Sequence, residues 1–182
     1  ELARAWLDSA RNFQDSSCNL AQTLVAVARF SVDSVFKKEI TSQIVIDASA
    51  ERVWQLLTDF ESFPLWNPFI RRAQGKPEAR ARIEVHIQPS GTRGMTFRPR
   101  VLKAEPNREL RWLGRLWMPW LSDGEHIFTI EPMRTGRVRF AQREIFTGPL
   151  VPFLKRGLET NTKRSFEEMN LALKLKAEQS AE

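Results

Sequence analysis

From residue 69 to residue 147 the chain keeps a period of two. Apolar and polar residues alternate through six successive segments, near 69–74, 81–88, 95–104, 109–117, 123–131 and 137–147. Turn-forming runs separate them: GKPE, PSGTRG, EPNRE and PMRTG. Such alternation belongs to strands with one wet and one apolar face, and consecutive strands joined by short turns make an antiparallel meander. A further strand precedes the series. In KKEITSQIVIDAS, Ile40, Ser42, Ile44 and Ile46 point one way, while Thr41, Gln43, Val45 and Asp47 point the other. Between this strand and the meander, SAERVWQLLTDF reads as a helix capped by Ser49, with Glu51 in its first turn and Val53, Leu56 and Leu57 on its apolar face. After the meander Gly148-Pro149 stops the last strand. Residues 150–177 then read as one long helix, with Leu150, Leu154, Leu158, Thr162, Phe166, Met169 and Leu173 as its apolar stripe. Lys155, Arg156, Lys163, Arg164 and Glu167 fall on its solvent side. The pattern predicts an α+β fold in which a seven-stranded, curved antiparallel sheet wraps one long C-terminal helix.

With 182 residues the chain can bury about 70% of the surface it exposes unfolded, enough for a core and for a hollow inside it. It carries a formal net charge of +6, with most of the excess in arginines that alternate with apolar residues along the strands. That is the wet face of a sheet. No nucleic-acid-binding motif accompanies the charge, so nucleic acid is not the expected partner, whereas an anionic membrane surface is compatible with it. Cys18 is the single cysteine. It excludes an intramolecular disulfide and a cysteine-based zinc site and fits a reducing, cytoplasmic setting. There is no tyrosine, which removes one common general acid. No run reaches the roughly 18 apolar residues of a membrane span. Residues 1–37 form a separate N-terminal extension. Leu2, Trp6, Ala10, Phe13, Leu20, Leu24 and Val27 follow helical spacing, with QDSSCN dividing two helices and Ser16 or Ser17 as a cap. This extension is read as an amphipathic appendage packed on the main domain, or as a membrane-surface or dimerising helix within residues 1–30.

Several stretches carry a family likeness. IDASAERVWQLLTDFESFPLWNPFI, ELRWLGRLW, DGEHIFTIEP, REIFTGPLVPFL and RSFEEMNLALKLKAE resemble, in this order, the segments of small polyketide cyclase-like members of the SRPBCC superfamily. That superfamily also holds START lipid-transfer domains and relatives of the birch-pollen allergen. The resemblance spans residues 38–178 and implies the helix-grip fold with a ligand cavity between sheet and long helix. It distinguishes neither carrier from enzyme nor sensor, because one fold hosts many activities.

The resemblance also gives a place to FESFPLWNPFI (60–70), an aromatic run with two prolines and no period of its own. It falls at the rim of the grip, where Phe63, Trp66, Phe69 and Ile70 are expected to line or gate the cavity, with Asn67 bonding nearby backbone in a turn. The alternative for these aromatics is ordinary core packing. Side chains of equal parity share a strand face, which assigns Met95, Phe97, Trp112, Gly114, Phe128, Phe140 and Phe146 to the inner side and Arg98, Arg100, Arg111, Arg115, Arg139 and Arg143 to the outer. A glycine inside a strand, as at Gly114, marks a bend or room for a ligand. From the long helix, Leu158, Thr162 and Phe166 complete the candidate lining.

Three polar residues share the inner face: His126, Gln142 and Glu144. A hairpin turn centred on Arg134 would pair His126 with Gln142 and set Glu144 diagonally, within reach. A buried carboxylate is costly unless paired, and a His–Glu couple suits acid–base work on a carbonyl or enol. The competing readings are a hydrogen bond that ties the hairpin together and a polar anchor for a ligand head group. His86 falls with Glu84 and Arg82 on the solvated side, leaving no second inward histidine for a metal. No phosphate-cradling loop or nucleophile triad appears, so no cofactor is expected. The resulting expectation is a carrier of a small hydrophobic molecule, aromatic, polyketide-like or lipid-like. Its alternatives are a cofactor-free cyclase or dehydratase using His126 and Glu144, and a membrane-associated lipid-transfer protein.

Overall fold

The structure is a computed structural model that describes residues 36–115, 123–153 and 158–179. The helices expected within residues 1–30 and their dimerising or membrane-facing surface lie outside the described residues, as do Leu116, Leu154, Lys155, Arg156 and the side chain of Leu158.

Strand β1 (Lys37–Ile46) is followed by helix α1 (Ala50–Thr58) and a 3-10 turn (Phe60–Ser62). The short helix α2 (Phe63–Trp66) comes next. The Ser49 hydroxyl accepts from the Arg52 amide at 3.2 Å, and Val53, Leu56 and Leu57 are buried, as the cap and stripe require. Pro64 sits in the first turn of α2, where its missing N–H is harmless, and the helix ends before Pro68. Next come β2 (Ile70–Gln74), β3 (Glu84–Ile87), β4 (Met95–Phe97) and β5 (Arg100–Glu105). The meander closes with β6 (Glu109–Arg115), β7 (Asp123–Pro132) and β8 (Val138–Thr147). A π-helical turn (Leu158–Thr162) leads into helix α3 (Lys163–Glu178).

The strands form a five-stranded sheet in the order β1-β8-β7-β6-β5 and a three-stranded sheet in the order β2-β3-β4, all antiparallel. The single strand expected over 95–104 is therefore two, and the described residues hold eight strands in two sheets, not seven in one. Pro99 is the cause. It offers no N–H to a ladder, and its carbonyl accepts from the Ile83 amide at 3.0 Å instead. Paired backbone bonds between 80–83 and 99–101, with an Arg82–Arg100 bridge, join the two sheets. The long helix also differs from expectation. Its regular α-helical part begins at Lys163, after the π-helical turn, although residues 151–153 are helical as well.

Helix α3 buries Phe166, Met169, Leu173 and Ala177 against the inner sheet face. It is pinned to β1 by Lys174 Nζ donating to the Val45 carbonyl at 2.9 Å, and by Glu178 accepting from the Asp47 amide at 2.7 Å. On the outer face the charges pair across strands, as in Arg111–Glu125 at 3.0 Å and Arg139–Glu131 at 3.2 Å. Much of the arginine excess is thus spent on surface pairs worth at most about 1 kcal/mol each. No helix among the described residues is long and apolar enough to cross a membrane.

Candidate functional site

The inner face is laid out in rows by strand register. One row runs Leu110, Phe128, Gln142, Ser42 across β6, β7, β8 and β1. The next runs Trp112, His126, Glu144, Ile40, and the third Gly114, Gly124, Phe146, Lys38. His126 thus pairs with Glu144 and is diagonal to Gln142, the reverse of the sequence expectation. The hairpin is centred on Thr135, where Thr135 and Gly136 both take positive φ (75° and 74°) and the Met133 amide bonds the Arg137 carbonyl. Moving the centre by one residue moves the pairing by two, so every side chain keeps its face. That is why the inner-face assignment holds although the register does not.

His126 is locked in place. Its ring stacks on Phe128 at 4.1 Å between centroids, leans on Phe166 at 4.9 Å and meets the edge of Trp112 at 5.5 Å. Nε2 lies 3.2 Å from Gln142 Oε1. Gln142 Nε2 donates to Asn170 Oδ1 at 2.7 Å, and Asn170 Nδ2 donates to Ser42 Oγ at 3.0 Å. With the Gln142 oxygen as acceptor, the imidazole carries its proton on Nε2. Burial holds its pKa down at about 3, against the smaller upward pull of Gln142. It is a neutral group in a closed network that ties β7 and β8 to α3 and β1.

Glu144 is placed differently. In the third row Gly114 and Gly124 face each other without side chains, and larger groups lean over the gap. A Cβ on Gly124 would meet Glu144 Oε1 at 2.9 Å, and one on Gly114 would meet the Phe97 ring at 3.1 Å. The space left over is a cavity of about 80 Å³ floored by the two glycines and Glu144, with Ile87, Met95, Phe97 and Arg115 as walls. That is room for about two or three waters. Met95 is 45% exposed and marks its open side. Glu144 keeps part of its surface toward this cavity and, among the described residues, has no hydrogen-bond or ion-pair partner. Burial alone raises its pKa to about 8, so at neutral pH it is mostly the protonated acid.

The other expected site residues divide cleanly. Met95, Phe97, Gly114 and Glu144 border the cavity, and Phe146 packs beside Gly124. Phe63, Phe69, Ile70, Trp112, Phe128, Phe140 and Phe166 belong to the packed core, with Trp66 half-buried against it. Phe63 meets Trp66 edge-on at 5.3 Å, and Phe69 meets Phe166 at 5.8 Å. Asn67 is fully buried and accepts from the Phe69 and Ile70 amides at 3.0 and 2.8 Å, the turn its position predicts. Gln142 serves the His126 network, and Thr162 is buried where the π-helical turn meets α3. His86 bonds the Thr96 hydroxyl at 2.8 Å on the outer side. Ile87, Arg115 and Gly124 were not among the expected lining residues. Gly124 was within reach of parity, since it shares a face with His126 and lies opposite Gly114. Among the described residues no three His, Cys, Asp or Glu side chains gather as metal ligands do.

A sheet that curves around a C-terminal helix, with a small cavity on the inner sheet face, is the helix-grip class. The chain belongs to the SRPBCC superfamily and, within it, to the family described as polyketide cyclase/dehydrase and lipid transport, whose model matches residues 37–178. This membership points to hydrophobic ligand binding or cyclase-type function. No curated protein matches the chain by sequence. Among solved structures it is similar to the Zhui aromatase/cyclase from Streptomyces sp. R1128, at 16% identity and a TM-score of 0.64, over 79% of this chain and 94% of that one. It is also similar to a START superfamily protein from Mycobacterium smegmatis, at 20% identity and a TM-score of 0.57, over 78% and 97%. A third likeness is to norcoclaurine synthase from Thalictrum flavum, at 11% identity and a TM-score of 0.59, over 83% and 94%. At these identities the likeness is one of fold.

Proposed function

We propose that the protein binds and carries a small hydrophobic molecule that bears a hydrogen-bond acceptor, a carbonyl or phenol oxygen, and that Glu144 anchors that oxygen. The observation that carries this reading is a carboxyl with no partner among the described residues, held neutral by burial, at the floor of a mostly apolar cavity opened by two facing glycines. A protonated carboxyl donates one hydrogen bond, and a mostly apolar wall with a few placed polar groups is how such cavities fix orientation. The cavity holds only the head of the ligand, and the remainder lies outside it. The family description and the aromatase/cyclase and START likenesses support a ligand of this kind.

The same neutral carboxyl favours a second reading, an enzyme of the cyclase or dehydratase type in which Glu144 is a general acid. A pKa near the working pH is what proton donation requires. His126 has no part in it, because its network and ring contacts keep it from the cavity. Two binding measurements test the cavity that both readings share, and a turnover assay separates them. First, native mass spectrometry of gently purified protein should show a bound hydrophobic molecule. Second, titration with emodin, a hydroxylated anthraquinone, should saturate at one equivalent and be lost in Gly124→Leu, whose side chain fills the cavity. Glu144→Gln, which keeps a donor, should bind within about threefold of the parent, and Glu144→Leu about tenfold more weakly, as expected for one lost hydrogen bond. Equal affinity in Gly124→Leu would sink the cavity reading. Turnover of a verified substrate that disappears in Glu144→Gln while binding persists would establish the enzyme.

A further inference from the structure

A second hollow, of about 690 Å³, lies on the outer side of the same region, and Phe97 and Arg115 border both hollows. The reason is a split between the sheets. Strand β5 pairs with β6 only as far as Arg100 opposite Leu113. Before Pro99 the chain turns away into β4, which pairs with β3. Along Gly114 and Arg115 the edge of β6 therefore has no strand on that side among the described residues, and the Phe97 ring, seated over Gly114, fills the gap between outside and inside.

The outer hollow is strongly one-sided in charge. Arg82, Arg98, Arg100 and Arg115 line it against one acid, Glu84. Glu84 is already shared by Arg98 at 3.0 Å and Arg72 at 3.2 Å, and Arg115 reaches Asp123 only at 3.9 Å. Arg82 and Arg100 stand directly opposite each other across the bridge that joins the sheets. Neither has an acidic partner within ion-pair distance among the described residues. Like charges facing each other across strands are destabilising, and an anion between them would reverse the sign.

We infer that the gap between β4 and β6 is a lateral portal gated by Phe97, and that the cavity takes hydrophobic molecules with one anionic group, which stays outside on Arg82 and Arg100. The inference rests on the ligand-cavity reading above and names the ligand class for it. One end of the apolar body passes Phe97 to the glycine floor, and the rest lies in the outer hollow beside Leu102 and Leu113. The carboxylate, sulfonate or phosphate remains in the arginine hollow, where guanidinium forks match planar anions and where it does not face Glu144.

Two probes with one skeleton test this. 1-Anilinonaphthalene-8-sulfonate carries an anion, and N-phenyl-1-naphthylamine is the same molecule without it. The uncharged probe should displace the anionic one, showing a shared cavity. Arg82→Gln with Arg100→Gln should weaken the sulfonate probe about tenfold and leave the uncharged probe within twofold; raising salt should mimic the double substitution. Phe97→Ala should speed association and dissociation of both probes at least fivefold in stopped-flow fluorescence. If both probes bind and neither the double substitution nor Phe97→Ala changes anything, the portal is overturned and the cavity reading stands. If neither probe binds saturably while emodin does, the portal is overturned and the cavity reading stands; if emodin fails as well, the cavity reading itself fails. If the double substitution lowers co-sedimentation with phosphatidylserine vesicles but leaves the two probes in their original ratio, the arginines serve a membrane surface and the inference is overturned.

Discussion

His126 and Glu144 stand opposite each other on β7 and β8, both on the inner face and both uncharged at neutral pH, yet they do different things. His126 is enclosed by Phe128, Phe166 and Trp112 and bonded to Gln142. Glu144 has bare glycine backbone beside it and a cavity in front. The two share a row, flanked by Phe128 and Gln142 on one side and by Gly124 and Phe146 on the other; His126 bonds toward the first, and the Glu144 carboxyl lies over the second. Burial is common to both groups and drives their pKa values apart, down to about 3 and up to about 8. The proton therefore rests on the carboxyl and no ion pair forms. A His–Glu pair on an inner sheet face looks like an acid–base couple, but within one row the side to which each side chain turns separates a structural group from an available one.

The largest effect should come from removing the wall around His126. Phe166→Ala takes away a fully buried ring that touches both His126 and Phe69, and is expected to cost about 3–5 kcal/mol in urea unfolding. A loss below about 1 kcal/mol would mean that Phe166 borders open space, and the contrast with Glu144 would disappear. Next comes the network. Asn170→Ala removes the shorter of two Gln142 Nε2 hydrogen bonds, leaving the one to the Phe166 carbonyl at 3.4 Å, and also unpairs Ser42; it should cost about 1–3 kcal/mol. Glu144→Leu, one ladder position from that network, removes no partner and should change stability at pH 6 by less than about 1 kcal/mol, in either direction. Equal losses for the two would show that Glu144 is as structural as the amides.

The fold was legible because its signals are local and repeated. The Ser49 cap, the apolar faces of α1 and α3, and strand parity from Ile40 to Phe146 each needed only a few neighbouring residues. Parity survived a turn misplaced by one residue because faces repeat every two. What was not legible depends on breaks in pattern. Pro99 divides a strand, and nothing local says that the chain then joins another sheet. The aromatic rim illustrates the limit from the other side. Phe63, Phe69 and Ile70 have the composition of a ligand wall and pack as core, because the same apolar rings serve either purpose and only the filled volume decides. The cavity comes from what is missing at Gly114 and Gly124, and a pair of absent side chains on adjacent strands becomes visible only when the register is known.

The smallest effect is the most discriminating, because each group should govern its own stretch of the pH scale. Glu144 has a folded pKa of about 8 against an ordinary 4.5. The folded state therefore binds the extra proton between those values, and stability falls as pH rises through that window. His126 has a folded pKa of about 3 against an ordinary 6.5. Here the unfolded state binds the extra proton, and stability rises with pH between 3 and 6.5. From about 4.5 to 6.5 the two slopes oppose each other and the curve should be nearly flat. Above 6.5 only the Glu144 slope remains, at most about 1.4 kcal/mol per pH unit and less than that because the carboxyl retains some contact with solvent. Chemical denaturation from pH 3 to 9 should thus give a plateau with a falling limb on each side. Glu144→Gln should abolish the alkaline limb and leave the acid one, and His126→Gln should keep the alkaline limb and flatten the acid one to the shallower fall set by Glu84, Glu105, Glu168 and Glu178, whose carboxyls are held low by hydrogen bonds and neighbouring cations. A single substitution that removed both limbs would show the two groups to be one coupled pair after all, and would return the acid–base couple to the mechanism.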